Sequence, residues 1–204
     1  TTNRRRNHAK NVKKRKKTDI IIGIDPDIDQ SGVATITTAT GIVTAQRMRF
    51  PDLLDHLASE HGKAAMGGLT LAVHVEAGWL NTSNWHTNRR MGANYNAAIG
   101  QAVGRNQAVG MKLLEMCRHM GMDAFAVRPL QKTMRVGSVT QQMWGGTDGK
   151  VRANELEQLL ADNGLYMPKG RTNQDERDAV LIALRAAGYA IYPRKVFAQK
   201  AHIN

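Results

Sequence analysis

The stretch Asp19-Ile-Ile-Ile-Gly-Ile-Asp25-Pro-Asp-Ile-Asp-Gln-Ser-Gly-Val-Ala34 decides how the rest of the chain is read. Residues 19–25 are β-branched and apolar on both faces, the pattern of a central strand covered on both sides. Pro26 stops that strand, and Asp27, Asp29 and Gly32 supply the residues of a turn. Asp25 therefore leaves the end of a central strand and enters the crevice where α/β sheets bind ligands. Asp is equally a turn former, so this stretch alone leaves both readings open.

Outward from it, residues 32–38 and 41–49 read as two more strands joined by a tight turn at Ala39-Thr40-Gly41. Residues 52–62 read as a short helix with Leu53, Leu54 and Leu57 on one face, closed by Gly62. Residues 69–76 return to strand. A polar loop spans 78–91, and a long helix covers about 93–120 with Ala98, Gly100, Ala102, Gly104 and Ala108 on its packing side. A strand at 123–128 ends at Pro129. Residues 133–149 are rich in Gly and Thr and read as a mobile segment. Helices follow at about 150–163 and 173–190. The order β-β-β-α-β-α-β-α-α predicts an α/β fold, a mixed sheet with helices on both faces. One domain is expected over 19–192, followed by a C-terminal tail at 193–204.

The chain has 204 residues, of which 42% are hydrophobic. That suits one ordinary core. No apolar run reaches the ~18–20 residues of a membrane helix. The single cysteine, Cys117, excludes an internal disulfide and a Cys-based zinc site. The formal net charge is +12. Residues 1–18 hold nine Lys and Arg and no acid, while the remainder has 20 basic against 17 acidic residues. This arm, with Lys13, Lys14 and Arg15 in its densest run, reads as a flexible polyanion-binding segment. It has neither the apolar stretch of a signal peptide nor the pattern of a transit peptide. A cytoplasmic setting is expected, in a bacterial or phage-infected cell, with organellar or nuclear sites left open.

Three further acids are candidates to join Asp25. Strand alternation puts Leu71, Val73 and Val75 on one face and Ala72, His74 and Glu76 on the other. If the first and fourth strands are parallel neighbours, Glu76 comes beside Asp25, and two such carboxylates repel unless a cation intervenes. Asp175 and Asp178, three apart, share a helical face. Asn173 is the natural N-cap of that helix, with Glu176 completing a capping box. Hard oxygen donors without Cys select Mg²⁺ or Mn²⁺. Two such ions, ~3.5–4 Å apart, suit hydrolysis of a phosphodiester. His74 lies two residues inward from Glu76, either orienting that carboxylate or sitting in the core.

Four blocks together carry a resemblance: IGIDPD…SGVA from residue 22, VEAGW at 75–79, GQAVG at 100–104 and DERDAVLIAL at 175–184. The chain resembles RuvC-type Holliday junction resolvases of the RNase H-like superfamily. The resemblance implies an RNase H-like mixed five-stranded sheet with helices on both faces. It implies a homodimeric, Mg²⁺-dependent endonuclease acting on four-way DNA junctions, with two ions for which Mn²⁺ can substitute. Asp25, Glu76, Asp175 and Asp178 are then the metal-binding catalytic acids. Lys132 matches a basic position near the site, and Lys150 a second one. Trp79 falls where the family places an aromatic against unpaired bases. Trp85, Arg89 and Arg90 lie in a longer loop that would face DNA. Asp27 replaces the family's glycine and adds acid near the metals. The alternatives are a nuclease of the same superfamily acting on flaps, forks or structured RNA, and a non-catalytic nucleic-acid binder.

Overall fold

The computed structural model describes residues 18–81, 92–136, 138–168 and 170–192. The basic arm with Lys13, Lys14 and Arg15, the residues Trp85, Arg89 and Arg90, and the tail 193–204 lie outside the described residues. No described helix is long and apolar enough to cross a membrane.

A five-stranded sheet forms the centre. Strands β1 (Ile20–Asp25), β2 (Ser31–Thr37) and β3 (Ile42–Met48) make an antiparallel meander. Strand β4 (Leu71–Glu76) lies parallel to β1, and β5 (Asp123–Val127) lies parallel to β4. The spatial order β3-β2-β1-β4-β5 puts β1 in the middle, as its doubly apolar sequence requires. This is the mixed five-stranded sheet expected from the sequence.

Helices cover both faces. Helix α1 (Phe50–Met66) and helix α2 (Ala93–His119) bury Leu53, Leu57, Leu113, Leu114 and Cys117 against Ile20, Ile22, Ile24, Val73 and Val75. On the opposite face, α3 (Ala153–Asp162) and α4 (Gln174–Ala186) cover Ile21, Ala34, Ile36, Val43 and Ala45. The alternation along β1 explains the division: Ile20, Ile22 and Ile24 face one layer, while Ile21, Gly23 and Asp25 face the other.

Three expectations need correction. Helix α1 does not stop at Gly62. It runs on to Met66 and ends at Gly67-Gly68, with Gly68 at φ +64°, because the helix needed a left-handed exit and Gly62 does not supply it. The packing side of α2 is not the Ala/Gly row. Ala98, Ala102, Gly104 and Ala108 are exposed, and the buried residues are Gly110, Leu113, Leu114 and Cys117. The first half of α2 therefore overhangs the sheet. Finally, the described residues of 133–149 carry regular structure. Strands β6 (Thr133–Val136) and β7 (Val139–Gln142) pair as an antiparallel hairpin, and Met143 and Trp144 beyond it are buried in the α4-side core. Those two apolar anchors outweigh the turn-like composition of the segment.

Candidate active site

The site is built where β1 and β4 end under the first turns of α4. Ile24 pairs with Val75 in parallel register, which places Asp25 and Glu76 next to each other on the α4 face. Helix α4 reaches down to them because two glycines leave room. A Cβ on Gly23 would lie 2.5 Å from the Ala179 carbonyl oxygen and 2.6 Å from the Ala183 nitrogen. A Cβ on Gly32 would collide with the carbonyl of Asp175, and Gly32 is the cross-strand partner of Asp25. The missing side chains thus set both the height of α4 and the position of its acidic turn.

The capping box also has its predicted form. Asn173 accepts a hydrogen bond from the Glu176 backbone N–H at 2.9 Å, and the Glu176 carboxylate accepts one from the Asn173 N–H at 3.1 Å. Glu176 is buried in this role, which leaves Asp175 and Asp178 for the site. Gln174 Nε2 donates to Asp178 Oδ1 at 3.0 Å.

The carboxylates sense one another. Burial, followed by the charges of Glu76, Asp178 and Asp175, holds the Asp25 carboxyl well above its ordinary range, and Lys132 pulls the other way. Burial and then Asp178 raise Glu76, opposed by Lys132 and by a backbone hydrogen bond from Leu130. Two cations partner the helical acids. Lys132 Nζ lies 3.5 Å from Asp178 Oδ2, and Arg47 Nε lies 3.3 Å from Asp175 Oδ2. Arg47 was not singled out from sequence. The signal was present in β3, where the inward row Val43, Ala45, Arg47 ends in a cation.

No group of three or more His, Cys, Asp or Glu side chains among the described residues is disposed as a ready-made metal cage. The donor set nonetheless fits a hard divalent cation. All four groups are carboxylates, and their mutual repulsion at Asp25 is what a cation would relieve.

Beside the acids, Glu76, Asp178, Lys132, Lys150 and Trp144 line a common pocket. Both lysines singled out from sequence therefore open onto the site. The backbone explains how Lys132 is held: its carbonyl accepts from the Met143 N–H at 2.9 Å, and Gly149, at φ +73°, packs against that same carbonyl.

Other residues have different surroundings. The Trp79 ring packs on helix α2: a Cβ on Gly110 would stand 2.7 Å from Trp79 Cζ3 and 3.1 Å from Pro26 Cγ. The indole is half-buried against the α2-side core. Asp27 does not add acid to the cluster. Its Oδ2 accepts from Asn106 Nδ2 at 2.9 Å and its Oδ1 from the Asp29 N–H at 2.9 Å, while the Ile28 N–H donates to Asn106 Oδ1 at 3.0 Å. These bonds tie the turn to α2. His74 stacks on Phe125, its ladder partner, with ring centroids 5.1 Å apart, and its buried Nδ1 has no hydrogen-bond partner. It does not orient Glu76.

No protein-family model and no curated protein sequence matches the chain. Among solved structures it is similar to Thermus thermophilus RuvC in complex with a Holliday junction substrate, at 16% identity and a TM-score of 0.41, over 85% of this chain and 97% of that one. It is also similar to the Fowlpox virus resolvase in complex with Holliday junction DNA, at 10% identity and a TM-score of 0.38, over 83% of this chain and 97% of that one. A third is the yeast mitochondrial Holliday junction resolvase, at 10% identity and a TM-score of 0.36, over 91% of this chain and 83% of that one.

Proposed function

We propose that the chain is a Mg²⁺-dependent endonuclease that cuts four-way DNA junctions by phosphodiester hydrolysis. The observation that carries this reading is geometric: the β1–β4 register sets Asp25 beside Glu76, and the close approach of α4 over Gly23 and Gly32 brings the turn with Asp175 and Asp178 to the same strand ends. Four acids on three separate elements around the ends of β1 and β4 support this reading, because they suit the oxygen chemistry of phosphoryl transfer. Divalent ions held by Asp25, Glu76, Asp175 and Asp178 would activate water and stabilise the departing 3′ oxygen.

The chain's own residues do the rest. Asp25 and Glu76 are fixed by the β1–β4 register, so they keep their places when the helical acids move. Asp175 and Asp178 are partly exposed and paired with cations, which lets them turn toward an arriving ion. Lys132 and Lys150 face the pocket and supply positive charge to the phosphate as charge builds in the transition state. The basic arm, with Lys13, Lys14 and Arg15, and the loop residues Arg89 and Arg90 would add positive charge for DNA, and Trp85 an indole for stacking. Trp79 offers an indole for base stacking in addition to its packing on Gly110. The exposed row of small residues on α2 supports a homodimer formed through that helix.

Cleavage of a synthetic four-way junction, a flap, a fork and a structured RNA tests the proposal in one panel. The expected result is Mg²⁺-dependent symmetric nicking of the junction, lost in Asp25→Asn with junction binding retained. Normal cutting by Asp25→Asn refutes the assignment of the acids. Preferred cutting of flap, fork or RNA reassigns the substrate, and binding without turnover of any substrate makes the chain a non-catalytic binder.

A further inference from the structure

The β6–β7 hairpin poses a physical question. A two-stranded hairpin is marginally stable in water without something to cover it, yet Val139, Thr140, Gln141 and Gln142 are all exposed. It is held at its root, where Met143 and Trp144 are buried and the Lys132 carbonyl ties the two ends together, and on its other face by Met134, packed against the same core. The ribbon is built to be presented.

Register fixes what it presents. Thr133 pairs with Gln142 and Arg135 with Thr140, so these four share a face, and all four are exposed. That face offers hydroxyls, an amide and a guanidinium. The charge around it is one-sided. No Asp or Glu occurs across residues 124–147, which contain Arg128, Lys132 and Arg135. Residues 128–152 add Lys150 and Arg152 against the single acid Asp148, a net +4. The chain beyond residue 18 carries only +3 in all. The surplus is thus concentrated beside the carboxylate pocket, whose wall includes Lys132 and Lys150.

We propose that the β6–β7 hairpin is a DNA-contacting ribbon that engages a duplex arm next to the strand held at the carboxylates. This rests on the nuclease reading above and deepens it. The fit is chemical and dimensional. Thr, Gln and Arg side chains are habitual partners of phosphate oxygens, and the major groove of B-form DNA, ~12 Å wide, admits a two-stranded β-ribbon. Continuity with the pocket through Lys132 means that a strand seated at the acids brings its duplex arm to the ribbon.

Binding of the full chain to a four-way junction, linear duplex DNA and double-stranded RNA, measured by fluorescence anisotropy with EDTA present, tests it. Thr140→Glu/Gln142→Glu places two acids on the exposed face, away from the core. Junction and duplex affinity should fall about tenfold or more. Thr140→Lys/Gln142→Lys should tighten both and steepen the salt dependence. Opposite effects from the two pairs separate charge from misfolding. Affinities within twofold of wild type in both pairs, with wild type binding normally, overturn the ribbon and leave the nuclease reading standing. Wild type that binds no DNA overturns both. A larger effect on double-stranded RNA, whose deep narrow groove excludes a ribbon, overturns it as well. So does a loss of binding accompanied by a change in oligomeric state, which would make the hairpin a contact between copies.

Discussion

The main chain of Asp175 occupies the space that a side chain on Gly32 would need. Since Gly32 faces Asp25 across the β1–β2 ladder, this one absence sets the distance between the strand acid and the helical acids. Gly32→Ala should lift the first turn of α4 and weaken Mg²⁺ binding, measured by titration calorimetry. Gly23→Ala should cost roughly 1–3 kcal/mol by overpacking, because its neighbours are helix backbone. Gly62→Ala, within α1 and with open space around it, should instead stabilise by ~0.5–1 kcal/mol. Thermal unfolding of the three variants checks the contrast; equal effects at Gly23 and Gly62 would refute the close-approach account.

The buried acids give the metal-free protein a characteristic pH dependence. Asp25 and Glu76 are raised above their ordinary values of 3.8 and 4.5. Below those values folded and unfolded chains are both protonated, so nothing is lost. As pH rises, the unfolded chain releases protons that the folded one still holds, and stability falls until the folded groups ionise. The deficit then persists to neutral pH. Asp25→Asn should therefore raise the metal-free melting temperature at pH 7 and flatten its decline with pH. Mg²⁺ should stabilise wild type and have little effect on the variant.

Lys132 lowers both Asp25 and Glu76. Its removal in Lys132→Ala should push the two carboxyls higher still, so the acidic limb of the cleavage–pH profile should move to higher pH. Activity at neutral pH should fall about 10²–10³-fold, the scale of a lost electrostatic donor. An unshifted limb would detach Lys132 from the acids.

Arg47 and Asp175 are each more than a third exposed, so their ion pair contributes at most ~1 kcal/mol. Arg47→Ala should leave the melting temperature nearly unchanged. It should tighten Mg²⁺ binding, because Asp175 loses a competing cation. Calorimetry decides: weaker metal binding would show that Arg47 orients Asp175 instead of competing for it.

Trp79 packs on Gly110. Trp79→Ala should cost about 1–3 kcal/mol, a fraction of the loss for a fully buried tryptophan, whether or not DNA is present. Unchanged stability in chemical denaturation would mean the indole serves only an external partner.

The sequence was most legible where one periodicity ruled. The doubly apolar run of β1 and the alternation of β4 put Asp25 and Glu76 at two strand ends that adjoin once β1 and β4 pair in parallel, and the Asn173–Glu176 box marked the start of α4 and separated Glu176 from the two site acids. Tertiary effects were less readable. Asp27 looked like an extra site acid because its partner, Asn106, is 79 residues away. The hairpin at 133–142 carried turn-like composition, and it is anchored by the burial of Met143 and Trp144 and by Met134, packed against the same core. Arg47 is hard to read because one cation in an edge strand looks like any solvated side chain until Asp175 lies beside it.

Arg47 and Lys132 each pair with one of the two helical aspartates. A divalent ion entering the cluster would have to compete with two resident positive charges, so its affinity should depend on the ionic strength around the protein as well as on the acids themselves.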